Sequence, residues 1–216
     1  MQLELIPDKP PRRRAGGRKP TRPGTWVKHR ARPYHDRHTP LHVTLRVTRA
    51  VGSLRRLHLA RVIGQAFRDA AGDAQRTRTF RVVHFSIQPD HLHLVVEATS
   101  KTALARGMQG LASRLARRIN RAVGRNGTVF RDRYHRTDLK TPTQVRNAVA
   151  YVLLNYRKHD PTTPLHHGLD PCSSARWFDG WLTPPPPDLE PPPTAPPRTF
   201  LLRTGWRRLG LLALTP

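Results

Sequence analysis

The stretch Phe85-Ser-Ile-Gln-Pro-Asp-His-Leu-His-Leu-Val-Val-Glu97 decides the fold and carries the first sign of a site. Its second half alternates as a strand does, so His91 and His93 must lie on one face of a sheet while Leu92 and Leu94 lie on the other. Two imidazoles on one face can hold a divalent metal ion, and two ligands leave positions open for substrate oxygens. The plainer alternative is a pair of partly exposed strand histidines in a chain that has 12 histidines.

A second motif begins at Thr141, where Thr141-Pro-Thr-Gln144 is typical of the capped start of a helix. At 100° per residue, Tyr151 and Asn155 fall together on one flank of this helix, where they can present a phenol and an amide to the same point. The stripe that we predict to be buried consists of Val145, Val149, Val152 and Tyr156. A tyrosine on a helix flank is more commonly a packing residue than a nucleophile, so this helix alone does not define a site.

The order of predicted elements is strand, helix, strand, strand, helix, strand, helix. We predict strand 41–48, helix 54–71, strands 81–87 and 91–97, a helix from 102 to about 123, strand 133–139 and the capped helix that follows. This is the order of an α+β, ferredoxin-like sandwich with an added C-terminal helix. Crossover helices cover one face of such an antiparallel sheet, which leaves the opposite face for His91, His93 and the helix of Tyr151.

Proline and charge patterns predict four segments along the chain. Residues 1–39 form a basic arm that we expect to be largely disordered when free, and residues 40–183 form the core domain. Residues 184–198 are predicted to be an extended proline-rich linker. Residues 199–216 form a short C-terminal segment that docks either on the core or on a nucleic acid, and the pattern leaves both open.

The net charge predicts a polyanionic partner. Lys and Arg number 39 against 14 Asp and Glu, a formal charge of +25. We infer nucleic acid rather than an anionic membrane, because no apolar run approaches the roughly 20 residues of a spanning helix. With no signal peptide at its start, the chain is expected to be cytoplasmic and nucleoid-associated. The single cysteine, Cys172, excludes an internal disulfide and a cysteine-rich zinc site.

The second predicted helix is unusually rich in arginine, and no acidic residue occurs between Glu97 and Asp132. A solvated helix normally mixes charges of both signs, so this surface favours contact with phosphates. Simple surface solvation is the alternative. The predicted nucleic-acid contacts are Arg114, Arg118, Arg121, Arg131, Arg133 and Arg136.

Several motifs in consistent order resemble those of the HUH single-tyrosine transposases, above all the REP-associated tyrosine transposases. They are Pro89-Asp-His-Leu-His93, Phe130-Arg-Asp-Arg-Tyr-His135, Val145-Arg-Asn-Ala148, Tyr151-Val-Leu-Leu-Asn155 and a later Trp177-Phe-Asp-Gly-Trp181. One departure concerns the subgroup, since many REP-associated members have a proline after the asparagine and Tyr156 follows Asn155 here. The target DNA is therefore left open.

The resemblance implies a bacterial enzyme that nicks and joins single-stranded DNA, at hairpin-associated repeats. It implies Tyr151 as the nucleophile that forms a 5′-phosphotyrosine, and His91, His93 and Asn155 as ligands of Mg²⁺ or Mn²⁺. The enzyme would act as a monomer or a homodimer. Two alternatives stay open: a domesticated protein that binds nucleic-acid hairpins without cutting, and a nucleic-acid-binding module whose histidines hold structural zinc, although His-x-His alone lacks the four ligands of such a site.

Overall fold

The computed structural model describes residues 34–156, 165–166 and 168–214 of the chain. In chain order the elements are β1 (Leu41–Arg46), α1 (Leu57–Gly72), α2 (Ala74–Thr79), β2 (Phe80–Ile87), β3 (His91–Ala98), α3 (Lys101–Ala122), β4 (His135–Asp138), α4 (Pro142–Leu154) and α5 (Phe200–Arg203). Short 3-10 turns lie at Arg49–Val51, Ala175–Trp177 and Gly205–Leu209. Most of the predicted basic arm, residues 1–33, lies outside the described residues.

The four strands form one antiparallel sheet in the order β2-β3-β1-β4. This order, with helices between β1 and β2 and between β3 and β4, is that of the ferredoxin-like α+β fold. The predicted fold class is therefore confirmed. The two central strands, β3 and β1, pair from Leu41↔Val96 to Arg46↔His91, which places the histidine strand in the middle of the sheet.

The alternation of β3 divides the molecule into two layers. Leu92, Leu94 and Val96 pack with α1 and α3 in the larger hydrophobic core. Val95 packs on the opposite face, in a second core that includes α4. His91 and His93 share the face of Val95 because their side chains are two residues apart.

Helix α4 begins as its sequence predicts. The hydroxyl of Thr141 accepts a hydrogen bond from the Gln144 amide N–H, and the Gln144 side chain accepts one from the Thr141 amide N–H. This capping box, with Pro142 at the first turn, fixes where the helix starts. The predicted buried stripe is confirmed, since Val145, Val149, Val152 and Tyr156 are all buried.

The C-terminal segment packs on the core domain. Trp206 is 1% exposed and lies in the second core with Trp181, Leu202 and Leu212. Its indole N–H donates to the Leu202 carbonyl oxygen, which satisfies the buried polar group. The sequence left open whether residues 199–216 pack on the core or bind a nucleic acid. The described residues of this segment pack on the core.

The proline-rich segment, residues 184–198, lies along the domain rather than projecting as a free spacer. Ala195 donates its amide N–H to the Val82 carbonyl oxygen, and Arg68 bonds both the Glu190 carboxylate and the Pro191 carbonyl. At its end, the buried Glu97 carboxylate accepts amide N–H bonds from residues 198 and 199. The same carboxylate forms a buried ion pair with Arg81, which compensates its charge.

The structure differs from the sequence prediction at several elements: β1 ends at Arg46 rather than at 48, and α1 begins at Leu57 rather than at 54. Helix α2 was not predicted, because Ala74-Gln-Arg-Thr-Arg-Thr79 has no apolar periodicity; its start is stabilised by Asp73, whose side chain accepts the Arg76 amide N–H. Strand β4 covers only His135–Asp138 of the predicted strand 133–139. In addition, residues 34–39 of the predicted arm belong to the fold, since His35 is 2% exposed and its Nε2 lies 2.8 Å from the Ala98 carbonyl oxygen.

Two glycines of α3 should respond in opposite ways to alanine. A Cβ at Gly107 would lie 2.1 Å from the buried Phe80 ring, so Gly107→Ala should lower the free energy of unfolding by about 1 to 3 kcal/mol. A Cβ at Gly110 would meet only the Arg76 guanidinium, at 3.6 Å, so Gly110→Ala should raise it by about 0.5 to 1 kcal/mol through helix propensity. Urea denaturation of both variants measures the two changes; equal effects would contradict the packing of Phe80 on α3.

A half-buried histidine, His84, whose ring packs against Phe178 of the second core, makes stability depend on pH. Burial, including an edge-to-face contact with the Phe178 ring, lowers the pKa of His84 to about 4 from the ordinary 6.5. As the pH falls below about 6.5, the unfolded chain takes up a proton there that the folded domain does not, so stability is lost until about pH 4.

The loss between about pH 7.5 and pH 5 should be on the order of 2 kcal/mol. Denaturation of the wild type and of His84→Gln at both pH values isolates this contribution, because the glutamine does not titrate. An unchanged pH dependence in His84→Gln would show that other groups are responsible.

Candidate active site

The two histidines of β3 converge through their ring nitrogens. His91 and His93 are 6% and 5% exposed, and their Nε2 atoms are 2.9 Å apart. Nδ1 of His91 lies 2.6 Å from the Asp90 carboxylate, and this contact lowers the pKa of Asp90. A carboxylate at Nδ1 favours the tautomer in which His91 Nε2 carries a lone pair, the usual arrangement behind a metal-binding histidine.

Helix α4 brings Tyr151 to the same point. The Tyr151 hydroxyl is 3.5 Å from His93 Nε2, and the two rings meet edge to face with centroids 5.0 Å apart. The side chain is 37% exposed, so the phenol is held at the edge of the site and is open to solvent. Tyr156, in contrast, is buried and donates its hydroxyl to the Gly168 carbonyl oxygen.

Asn155 lies one helical turn after Tyr151, at the C-terminal cap of α4. It is 1% exposed, and within the part of the chain that the structure describes neither polar atom of its amide has a hydrogen-bond partner. A buried amide without partners costs about 1 to 3 kcal/mol, so its retention calls for a ligand.

These residues fit a divalent cation. Two adjacent ligands of an octahedral ion, each at about 2.1 Å, are separated by about 3.0 Å. The Nε2 atoms of His91 and His93 are 2.9 Å apart, and Asn155, one helical turn after Tyr151, has an amide oxygen without a partner that could serve as a third donor. Among residues 34–156, 165–166 and 168–214, no group of three or more His, Cys, Asp or Glu side chains could hold a metal.

Two residues of β1 belong to the site and were missed by the sequence analysis. His42 Nε2 and Thr44 Oγ1 lie 3.1 Å and 3.3 Å from Nδ1 of His93. Burial and the neighbouring His91 ring lower the pKa of His42. One sequence feature could have indicated them, since His42 and Thr44 are the polar positions of a strand in which polar and apolar residues alternate. Only the β1–β3 register, however, brings them beside His93.

The predicted arginine contacts divide between the two faces of the sheet. Arg131 and Arg133 lie in a groove that includes His42, the neighbour of His93, and we call it the proximal groove. The lining of the proximal groove is His42, Thr44, Arg46, Arg131, Asp132, Arg133, His135 and Thr137. Arg136 pairs with Val43, whose side chain lies in the opposite core, and it is engaged with Asp138 and the Tyr34 carbonyl oxygen.

The other three predicted contacts are on α3, in the opposite layer. Arg118 forms an ion pair with Asp69 of α1, whereas Arg114 and Arg121 have no ion pair with the described residues. The structure therefore places Arg131 and Arg133 in a groove with His42, which contacts His93 and the Tyr151 ring. Arg114, Arg118, Arg121 and Arg136 lie on the other side of the sheet.

Residues 47–153 match the model of a family described as IS200-like transposase. A REP-associated tyrosine transposase bound to a REP hairpin is similar in structure, with 18% identity and a TM-score of 0.44 over 61% of this chain and 74% of that chain. A candidate transposase from Deinococcus radiodurans R1 has 19% identity and a TM-score of 0.39 over 55% of this chain and 91% of that one. Both scores are below 0.5, so neither likeness supports a conclusion. No curated protein matches the chain.

The fold and the family match define a transposase-like, DNA-processing class of enzyme. Through the domain that contains the site, the chain belongs to the IS200-like transposase family. None of the described helices combines the length and the apolar character needed to cross a membrane.

Proposed function

We propose that this domain cleaves and rejoins single-stranded DNA through a covalent 5′-phosphotyrosine on Tyr151. The observation that carries the proposal is the 3.5 Å distance between the Tyr151 hydroxyl and His93 Nε2 within a single chain. Residues 58 positions apart in sequence converge there, which puts a nucleophilic oxygen next to a pair of imidazoles. A partner subunit is not needed to assemble this arrangement.

His91, His93 and Asn155 would hold Mg²⁺ or Mn²⁺. When bound, such an ion supplies charge that polarises the scissile phosphate, which a phenol needs because its ordinary pKa is about 10. The Asp90 carboxylate orients the His91 ring, and His42 with Thr44 orients the His93 ring through its Nδ1 atom. The chain thus contributes a preorganised pair of donors and an exposed phenol beside them.

In the reaction, the Tyr151 oxygen forms a bond to phosphorus while the bond from phosphorus to the 3′ oxygen breaks. The phenol loses its proton and the 3′ oxygen gains one, so the products are a tyrosine phosphodiester and a free 3′-OH. Attack by another 3′-OH on the tyrosine ester reverses these bond changes and joins two strands. The ester retains the energy of the original phosphodiester, so no nucleotide cofactor is consumed.

The proximal groove is the proposed path of the DNA strand. It carries Arg46, Arg131 and Arg133 and continues from His42, which contacts both His93 and the Tyr151 ring. A basic groove that follows the backbone is the usual means of binding a single strand. A hairpin beside the cleavage point is the proposed recognition element.

The test is an adduct assay on the full chain. Single-stranded DNA that carries a hairpin and a label on its 3′ portion is incubated with the protein and Mn²⁺, and the products are separated under denaturing conditions. Label that migrates with the protein supports the proposed 5′ linkage. Tight binding of the hairpin with no adduct would instead favour a non-cleaving binding protein.

A further inference from the structure

We propose that a second groove, on the side of the sheet opposite Tyr151, binds the phosphates of a nucleic-acid segment other than the one that is cleaved. This distal groove lies between α2 and α3. Its lining residues are Arg76, Arg106, Gln109, Gly110, Ser113, Arg114 and Arg117. The tertiary structure assembles it, since Arg76 comes from α2 and the others come from α3.

The arginines of α3 in this groove are not neutralised by the protein. Arg106, Arg114 and Arg117 have neither a hydrogen bond nor an ion pair with any residue in the described ranges. Nη1 of Arg114 is fully buried and has no partner there. The planar fork of guanidinium donors suits phosphate oxygens, so the unpaired arginines of this groove can bind phosphates through their accessible N–H groups.

Two carboxylates lie near the groove, but both are engaged. Asp69 bonds Arg118 and Gln65, and Asp73 pairs with Arg76 while it caps α2. Burial, together with the neighbouring Arg76 and Arg118, lowers the pKa of Arg114, and the nearby Asp69 and Asp73 only partly oppose this effect. Close guanidinium groups repel one another, and a polyanion relieves that repulsion.

The shape of the groove favours an extended ligand over a single small anion. Gly110 and Ser113 are small residues, so the surface between the arginines forms an open depression. From Arg106 to Arg117 the helix advances about 16 Å, which at about 3.4 Å per nucleotide corresponds to about five phosphates of one strand. Arg106, Arg114 and Arg117 are thus attached at successive points along the axis of α3, as a ligand that extends along the helix requires.

The location of the groove determines which segment it can hold. Helix α3 covers the face of Leu92 and Leu94, whereas His91, His93 and Tyr151 lie on the other face. The whole sheet therefore separates the groove from the reacting phosphate. The distal groove contacts a second part of a long DNA, such as a flanking strand or a hairpin stem, and adds affinity through effective concentration.

This inference rests on the proposed function only in taking DNA as the polyanion, and its test requires no cleavage. In a Tyr151→Phe background, which cannot form the proposed adduct, Arg106, Arg114 and Arg117 are replaced by alanine. Binding to a long hairpin DNA and to a short single strand that fills only the active site is measured at several salt concentrations. The control removes three exposed charges outside both grooves, at Arg61, Arg203 and Arg208.

For the long DNA, we expect the triple variant to lose about ten-fold in affinity or more and its salt slope to fall by about 2 to 3. Binding of the short strand should stay within about two-fold, and the control should change the slope by less than about 1. Equal losses in the control, or loss of short-strand binding alone, would overturn the inference. Thermal unfolding of each variant verifies that the fold is intact. Failure of the adduct assay with the wild type would leave these results unaffected.

Discussion

Tyr151→Phe should abolish formation of the covalent protein–DNA adduct, with a fall in rate of at least about 10³-fold. The substitution removes only the hydroxyl that lies 3.5 Å from His93 Nε2, and the ring that contacts His42 and His93 stays in place. Because the side chain is partly exposed and its hydroxyl contact is long, the fold should be almost unaffected. DNA affinity should therefore be close to that of the wild type.

Tyr156→Phe is the matched control, since the two tyrosines lie on the same stretch of chain. It removes a hydroxyl that donates to the Gly168 carbonyl oxygen at 3.2 Å, which should cost about 1 kcal/mol of stability. The adduct should still form. An adduct that persists at the wild-type rate in Tyr151→Phe would assign the nucleophile to another residue.

His93→Ala should lower metal-dependent cleavage by at least about 10²-fold and leave DNA binding within about three-fold. His93 lies at the centre of the site: its ring contacts His91, Tyr151, His42 and Thr44. The arginines that we expect to bind phosphates are unchanged by the substitution. Single-turnover cleavage, together with calorimetric titration of Mn²⁺, separates the loss of chemistry from the loss of the ion.

Asn155→Leu tests the proposed metal site through protein stability, which does not depend on activity. Replacing a buried, partnerless amide by an apolar side chain of similar size should stabilise the metal-free domain by about 1 kcal/mol. The same variant should lose most of the stabilisation that Mn²⁺ gives the wild type in thermal unfolding. If Asn155→Leu destabilised the metal-free domain and kept the full response to Mn²⁺, Asn155 would be a structural residue and no ligand.

Local patterns predicted much of the site because short-range geometry determines it. A strand places every second side chain on one face, so His91 and His93 had to share a face. Helical spacing and a capping box separated Tyr151 at the edge from Tyr156 in the core, and the structure places both accordingly. The same patterns ordered the elements well enough to predict a ferredoxin-like fold.

The contacts that depend on pairing distant segments could not be predicted in this way. His42 and Thr44 reach His93 only through the β1–β3 register, and Arg136 turns away from the site only because it pairs with Val43. Helix α2 has no apolar stripe of its own, so no local pattern in the sequence predicts it.

The sequence by itself determined the element order, the shared face of the two histidines and the helix that presents the phenol, because each follows from the repeat of a strand or a helix. Only the tertiary structure decided that the phenol and the imidazoles meet within one chain, that the C-terminal segment packs on the domain, and that Arg76 joins the arginines of α3 in the distal groove. Strand register and the packing of layers bring together residues that are far apart in the chain, and no local repeat records those distances.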